Sequence, residues 1–229
     1  MKKRVLSAML VAAMAMTAMP SQTFAEGALD AVQQTGKLSY EGYKEVWHDE
    51  FDGDSLNRAD WNVETHEKGW VNNELQEYVD SAENIQVKDG KLIINPVKKV
   101  TDGDTGSTKE AASYTSGRVS TQNKQTFTYG RFECRAKVPK GQGYLPAFWL
   151  MANDENVYGQ WPRCGEIDCM EVMGQETNKA YGTLHYGNPH SQSQGTYTIT
   201  DGADFSDDFH IYTCDWEPGK ITWYVDGVK

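Results

Sequence analysis

An all-β sandwich is the fold class this sequence predicts, and three observations predict it. Apolar and polar residues alternate with a period of two in several segments, so each such strand turns one side toward a core. Turn-forming pairs recur between those segments, at Asp52-Gly53, Asp89-Gly90, Asp102-Gly103, Gly141-x-Gly143, Pro218-Gly219 and Asp226-Gly227. Roughly 200 residues are available for one domain, enough to bury the core that many short strands of this kind need.

The elements follow in chain order. Residues 1–25 stand apart from the fold. Lys2, Lys3 and Arg4 open the chain, Val5 to Met19 is apolar and uncharged, and Thr23-Phe24-Ala25 ends in a small-x-small pattern. That combination predicts a secretory signal peptide, too short and wrongly flanked for a membrane anchor. Cleavage after Ala25 would remove three positive charges from a chain whose net charge is −11. So acidic an exported protein is not expected to bind nucleic acid or anionic membranes, and a neutral polymer suits it as a partner. Residues 26–44 read as a polar leader, and residues 45–229 as one domain. Lys91 to Val97 is a short strand after the Asp89-Gly90 turn. In Gly130 to Pro139 the polar Arg131, Glu133, Arg135 and Lys137 alternate with the apolar Phe132, Cys134, Ala136 and Val138. Phe209 to Trp216 and Ile221 to Val225 are two strands joined by the Pro218-Gly219 turn, with Trp216 and Trp223 facing the core.

Seven Trp and twelve Tyr serve two readings, core packing and platforms on which sugar rings stack by their apolar CH faces. The four cysteines sit at positions that suit small core residues. Cys134 and Cys214 alternate with apolar neighbours, and Cys169 points inward beside Asp168. Free buried thiols are expected, with one bridge involving Cys164 as the alternative. No C-x-x-C pair exists to suggest a cysteine metal site.

The richest segment chemically is Gly165-Glu166-Ile167-Asp168-Cys169-Met170-Glu171, three carboxylates within an otherwise apolar run. On a helix they would point to about 0°, 200° and 140° around the axis and would not converge. On a regular strand Glu166 and Asp168 share a face, and Glu171 lies on the other. A β-bulge at Cys169-Met170 brings all three to one face. Acids so placed repel one another, and glycoside hydrolysis is the chemistry that uses them: one carboxylate attacks the anomeric carbon and another protonates the leaving oxygen. A solvated polar face or a cation site is the plainer alternative.

Several motifs in a fixed order carry a family resemblance. They are Trp47-His48-Asp49-Glu50-Phe51-Asp52-Gly53, Asn72-Asn73-Glu74-Leu75-Gln76, Tyr114-Thr115-Ser116-Gly117-Arg118, Tyr129-Gly130-Arg131-Phe132-Glu133, Pro146-Ala147-Phe148-Trp149-Leu150, the acidic run, and His185-Tyr186-Gly187. From about Val46 onward the chain resembles family 16 glycoside hydrolases of the bacterial laminarinase-like branch. The resemblance implies a concanavalin A-like jelly roll of two curved antiparallel sheets with a glycan cleft on the concave face. It implies Glu166 as nucleophile, Glu171 as acid/base and Asp168 between them tuning their charge. His185 matches a family histidine near the acid/base, expected to steer Glu171 or else to be structural. Trp149 and Trp161 match positions lining the sugar subsite beside the nucleophile. Asn72, Asn73, Glu74 and Arg118 match polar positions on the non-reducing side, and Trp70 either stacks a more distant sugar or caps the core. Leu145 follows Tyr144 where many relatives carry a Trp, which removes one stacking platform.

The resemblance implies a monomeric endo-acting β-1,3-glucanase that needs no cofactor. Mixed-linkage β-1,3-1,4-glucan is the alternative substrate. A transglycosylase or a non-catalytic glycan-binding sandwich is the alternative class. It also implies a structural calcium with Glu50 as one ligand, although Asp49, Asp52 and Asp54 serve equally as turn residues. Relatives continue for several strands past the equivalent of Lys229, so the sequence reads as a fragment of a longer frame, with C-terminal strands missing.

Overall fold

The computed structural model describes residues 40–99 and 113–229. The expected signal peptide, residues 26–39 of the expected leader and the Asp102-Gly103 turn fall outside the described residues. Val46–Thr128 forms one compact unit, and Tyr129–Lys229 forms another together with residues 40–45.

Strands in the first unit are short: β1 (Asn62–Val63), β2 (Gln76–Tyr78), β3 (Ile85–Val87), β4 (Leu92–Ile94), β5 (Val97–Lys99), β6 (Ser113–Ser116) and β7 (Val119–Ser120). They pair as β1-β7, β3-β4 and β2-β6-β5, and the β2-β6 pairing is parallel. The strand expected over Lys91–Val97 is divided between β4 and β5. Pro96 has no N–H to offer a ladder, so pairing breaks at Asn95-Pro96 and resumes with a different partner. Asp89 and Gly90 both take positive φ and close the β3-β4 hairpin, the backbone that a two-residue turn between twisted strands requires. Asp49 organises the start of this unit. Its carboxylate accepts from the Phe51 N–H at 2.8 Å and from Trp61 Nε1–H at 2.7 Å, and Trp47 packs edge-on to Trp61.

The second unit is a sandwich of longer strands: β8 (Gly130–Ala136), β9 (Ala147–Met151), β10 (Glu166–Glu171), β11 (Lys179–Tyr186), β12 (Ser191–Thr198), β13 (His210–Glu217) and β14 (Lys220–Val225). One turn of helix, α1 (Glu155–Tyr158), lies between β9 and β10. An antiparallel sheet ordered β12-β11-β10-β9 faces a second ordered β14-β13-β8. Between them Met170, Val172 and Ala180 meet Tyr212, Phe205, Val138 and Val225. Beside that cluster Ile167 and Cys169 meet Cys214, with Phe132, Leu184, Trp216 and Trp223 packed around them. Phe205 and Tyr212 are fully buried, each contributing roughly 2–3 kcal/mol through lost apolar hydration. Trp223 seats flush against Gly182 of β11, where a Cβ would stand 2.5 Å from the indole, and its Nε1–H donates to the Asp168 carbonyl at 2.8 Å. All four cysteines are free, and Cys169 and Cys214 are buried, as their positions among apolar neighbours predict.

Candidate active site

β10 builds the site by local chain geometry. Ile167, Cys169 and Met170 all face the inter-sheet core, so two consecutive residues point inward at Cys169-Met170. The pairing with β9 slips between Asp168 and Met170, and the pairing with β11 slips between Asp168 and Glu171. That bulge returns Glu171 to the side shared by Glu166 and Asp168. Apolar demand drives it: a regular strand would put Met170 in water and Glu171 in the core. Cross-strand neighbours then arrange the surroundings in rows. Met151, Glu166, His185 and Gln192 form one, Trp149, Asp168, Thr183 and Gln194 the next, and Ala147, Glu171, Tyr181 and Thr196 the third.

Crowding of the acids sets their protonation. Asp168 is 3% exposed, and burial, followed by the charges of Glu171 and Glu166 and a hydrogen bond with Glu166, pushes its pKa up to about 8. Burial and then the Glu166 charge raise Glu171 as well. Two of the three acids therefore hold a proton more tightly than a free carboxyl does. Asp168 shares that tendency with Glu171, which the residue pattern alone does not assign to it.

Two aromatic side chains close over the carboxylates. Trp161, 45% exposed, donates its Nε1–H to Glu166 Oε2 at 2.5 Å. His185 pairs across the strand from Glu166, and its Nε2 stands 3.2 Å from Asp168 Oδ2. The approach is off-line, and that buried oxygen has no hydrogen-bond partner. His185 thus lies at the Glu166–Asp168 end of the row, whereas the family resemblance led to an expectation of it beside Glu171. His190 is a neighbour that the sequence reading misses. Its Nε2 is 2.9 Å from His185 Nδ1, and its ring packs 5.0 Å from that of Trp161. The available signal is the Gly187-Asn188-Pro189 turn, which folds residues 185 and 190 back alongside each other.

The remaining predicted binding residues belong to the first unit. Trp70 is 43% exposed and stacks on His66 with centroids 3.5 Å apart, and the Arg118 guanidinium lies 5.1 Å from its ring centroid. Glu64 ties this group together, accepting from Arg118 Nε at 2.6 Å with His66 Nε2 at 3.2 Å. Burial works against its ionisation, but Arg118 and the surrounding hydrogen bonds bring its pKa below the ordinary value. Asn72 and Asn73 are exposed and both adopt positive φ. Asparagine tolerates that backbone better than most residues, which accounts for the pair as a turn before any sugar is considered. Glu74 closes this turn through backbone bonds to Val71 and Gly69.

Glu50 is exposed in the same unit. Among the described residues no three His, Cys, Asp or Glu side chains converge to hold a metal ion, and the Asp49 carboxylate is already taken by Phe51 and Trp61.

Comparison with known proteins agrees with the geometry. Residues 72–229 match the model of the family described as glycosyl hydrolases family 16. The chain is 40% identical over 199 residues to glucan endo-1,3-beta-glucosidase A1 of Niallia circulans, covering 81% of this chain and 29% of that protein. It is 42% identical over 184 residues to a glucan endo-1,3-beta-glucosidase of Cryptopygus antarcticus, covering 79% and 65%. The chain thus spans less than two thirds of these relatives' length. Among solved structures, the laminarinase catalytic domain of Thermotoga maritima superposes with a TM-score of 0.70 at 36% identity, covering 82% of this chain and 76% of that one.

Proposed function

Because the chain belongs to glycosyl hydrolase family 16, we propose that it hydrolyses internal β-1,3-glucosidic bonds of laminarin-type glucans with retention of configuration. The observation that carries this reading is the bulged β10, with three carboxyls on one face, two drawn toward protonation and the third clasped by Trp161. The two relatives named as glucan endo-1,3-beta-glucosidases support the β-1,3 linkage.

In this reading Glu166 is the nucleophile. Its carboxylate oxygen bonds the anomeric carbon as the glycosidic C–O bond breaks, and Glu171 gives its proton to the departing oxygen. Glu171, now ionised, takes a proton from water. The water oxygen displaces Glu166 from the anomeric carbon, restoring both acids. Two inversions give net retention. Asp168 contributes a neutral carboxyl beside Glu166, so its hydrogen bond holds the nucleophile without adding a second charge to the face. Trp149, directly across from Asp168, and the exposed Trp161 offer rings for a pyranose to stack on. The basic start and apolar stretch of residues 1–25 support export, so that the protein meets its glucan outside the cell.

Reducing-sugar release from laminarin, lichenan, agarose and xyloglucan, measured side by side, tests the proposal. Laminarin is expected to react fastest and to give the β-anomer first in proton NMR. Faster release from lichenan would reassign the linkage, products longer than the substrate would indicate transglycosylation, and an initial α-anomer would overturn the double displacement.

A further inference from the structure

We propose that His190 is a positioning residue for the acidic face of β10, acting on Glu166 and Asp168 through Trp161 and His185. This inference rests on the hydrolase reading of that face. His190 follows β11 and precedes β12, on the turn that carries Gly187, and it touches neither carboxylate. It touches both residues that do. Its ring packs against Trp161 at 5.0 Å with planes 35° apart, and Trp161 donates to Glu166 at 2.5 Å. Its Nε2 sits 2.9 Å from His185 Nδ1, with the rings near parallel at 21°, and His185 Nε2 faces Asp168 Oδ2 at 3.2 Å.

The chemistry of the imidazole pair decides what this contact does. Two ring nitrogens 2.9 Å apart share one proton, so one donates and the other accepts. Asp168 Oδ2 is buried and unpartnered, and the donor nearest to it is His185 Nε2. A neutral His185 can carry its proton on Nε2 only when Nδ1 is bare, and a bare Nδ1 needs a donor. His190 Nε2–H is that donor. It therefore selects the His185 tautomer that presents N–H to Asp168, as a partner on one imidazole nitrogen fixes the state of the other. The same side chain backs Trp161 and limits the swing of an indole that is otherwise nearly half exposed.

Nitrogen-15 NMR of the histidine rings in the whole chain tests this without substrate. In the unaltered protein His185 is expected as the Nε2–H tautomer. In His190→Ala it is expected to become a mixture of tautomers, and kcat on laminarin to fall about tenfold, the size of one hydrogen bond's contribution, with KM within twofold. His190→Gln, whose side-chain amide donates at a similar reach, should restore both. A His185 signal and a kcat unchanged by His190→Ala would overturn the proposal. So would equal losses of kcat in the Ala and Gln variants with the tautomer intact. A protein inactive on every glucan would instead sink the hydrolase reading, and the tautomer measurement would still decide the role of His190.

Discussion

Asp168 and Asp215 occupy comparable places in facing sheets of one unit, and their surroundings could hardly differ more. Each is a strand aspartate, 3% and 6% exposed. Asp215 on β13 pairs across from Arg131 on β8, which forks onto its two oxygens at 2.7 and 2.8 Å. The rings of Tyr40, Tyr43 and Tyr224 lie 4.4, 5.1 and 5.7 Å from the guanidinium carbon. Those hydrogen bonds hold Arg131 above its ordinary pKa. Asp168 on β10 has two glutamates for company, and its pKa goes up to about 8. A buried carboxyl that meets a guanidinium is gripped through both oxygens and fastens two strands together. One that meets other carboxylates keeps a proton and destabilises the fold as pH rises, an arrangement that chemistry rather than stability accounts for.

The largest effect expected on this contrast is Glu166→Gln, which should lower turnover on laminarin more than a thousandfold, over about 4 kcal/mol in the barrier. Denaturant unfolding of the same variant should show no loss of stability, because a charge is removed from a face that repels it. Residual activity above a tenth would remove Glu166 from the nucleophile's role. Next in size is Arg131→Met. It leaves the buried Asp215 carboxyl without its guanidinium and should cost about 3 kcal/mol of unfolding free energy, most of it recovered in the double variant Arg131→Met/Asp215→Leu. Equal losses in the single and double variants would mean that the pair matters by packing alone.

The smallest effect is a slope. Asp168 holds its proton more tightly folded than unfolded, so its contribution is whole below pH 4 and is lost as pH climbs toward 8. Glu171 acts in the same direction. Stability at pH 7 relative to pH 5 should therefore be about 2 kcal/mol better in Asp168→Asn than in the parent, read from urea unfolding at the two values. Parallel pH profiles for the two proteins would show that Asp168 is ionised in the fold across that range.

Much of this was legible in the residues themselves. Alternation alone marks β13 and β14 to within a residue and β8 to within three, because a period of two leaves one register that turns Phe132, Cys134, Tyr212 and Cys214 to the same side. The acidic run dictates its own bulge for the same reason, since Cys169 and Met170 both belong in the core. The Lys91–Val97 strand is misread only at Pro96, where the missing N–H outweighs the apolar pattern. The proton on Asp168, the off-line His185, the fork from Arg131 to Asp215 and the reach of His190 to both Trp161 and His185 come from tertiary structure alone. Burial and the charges gathered by other strands set each of these, and such terms act through space between residues far apart in the chain. Local sequence decided which face each acid would occupy. What each acid meets there depends on partners that only the packed sheets bring within a few ångströms.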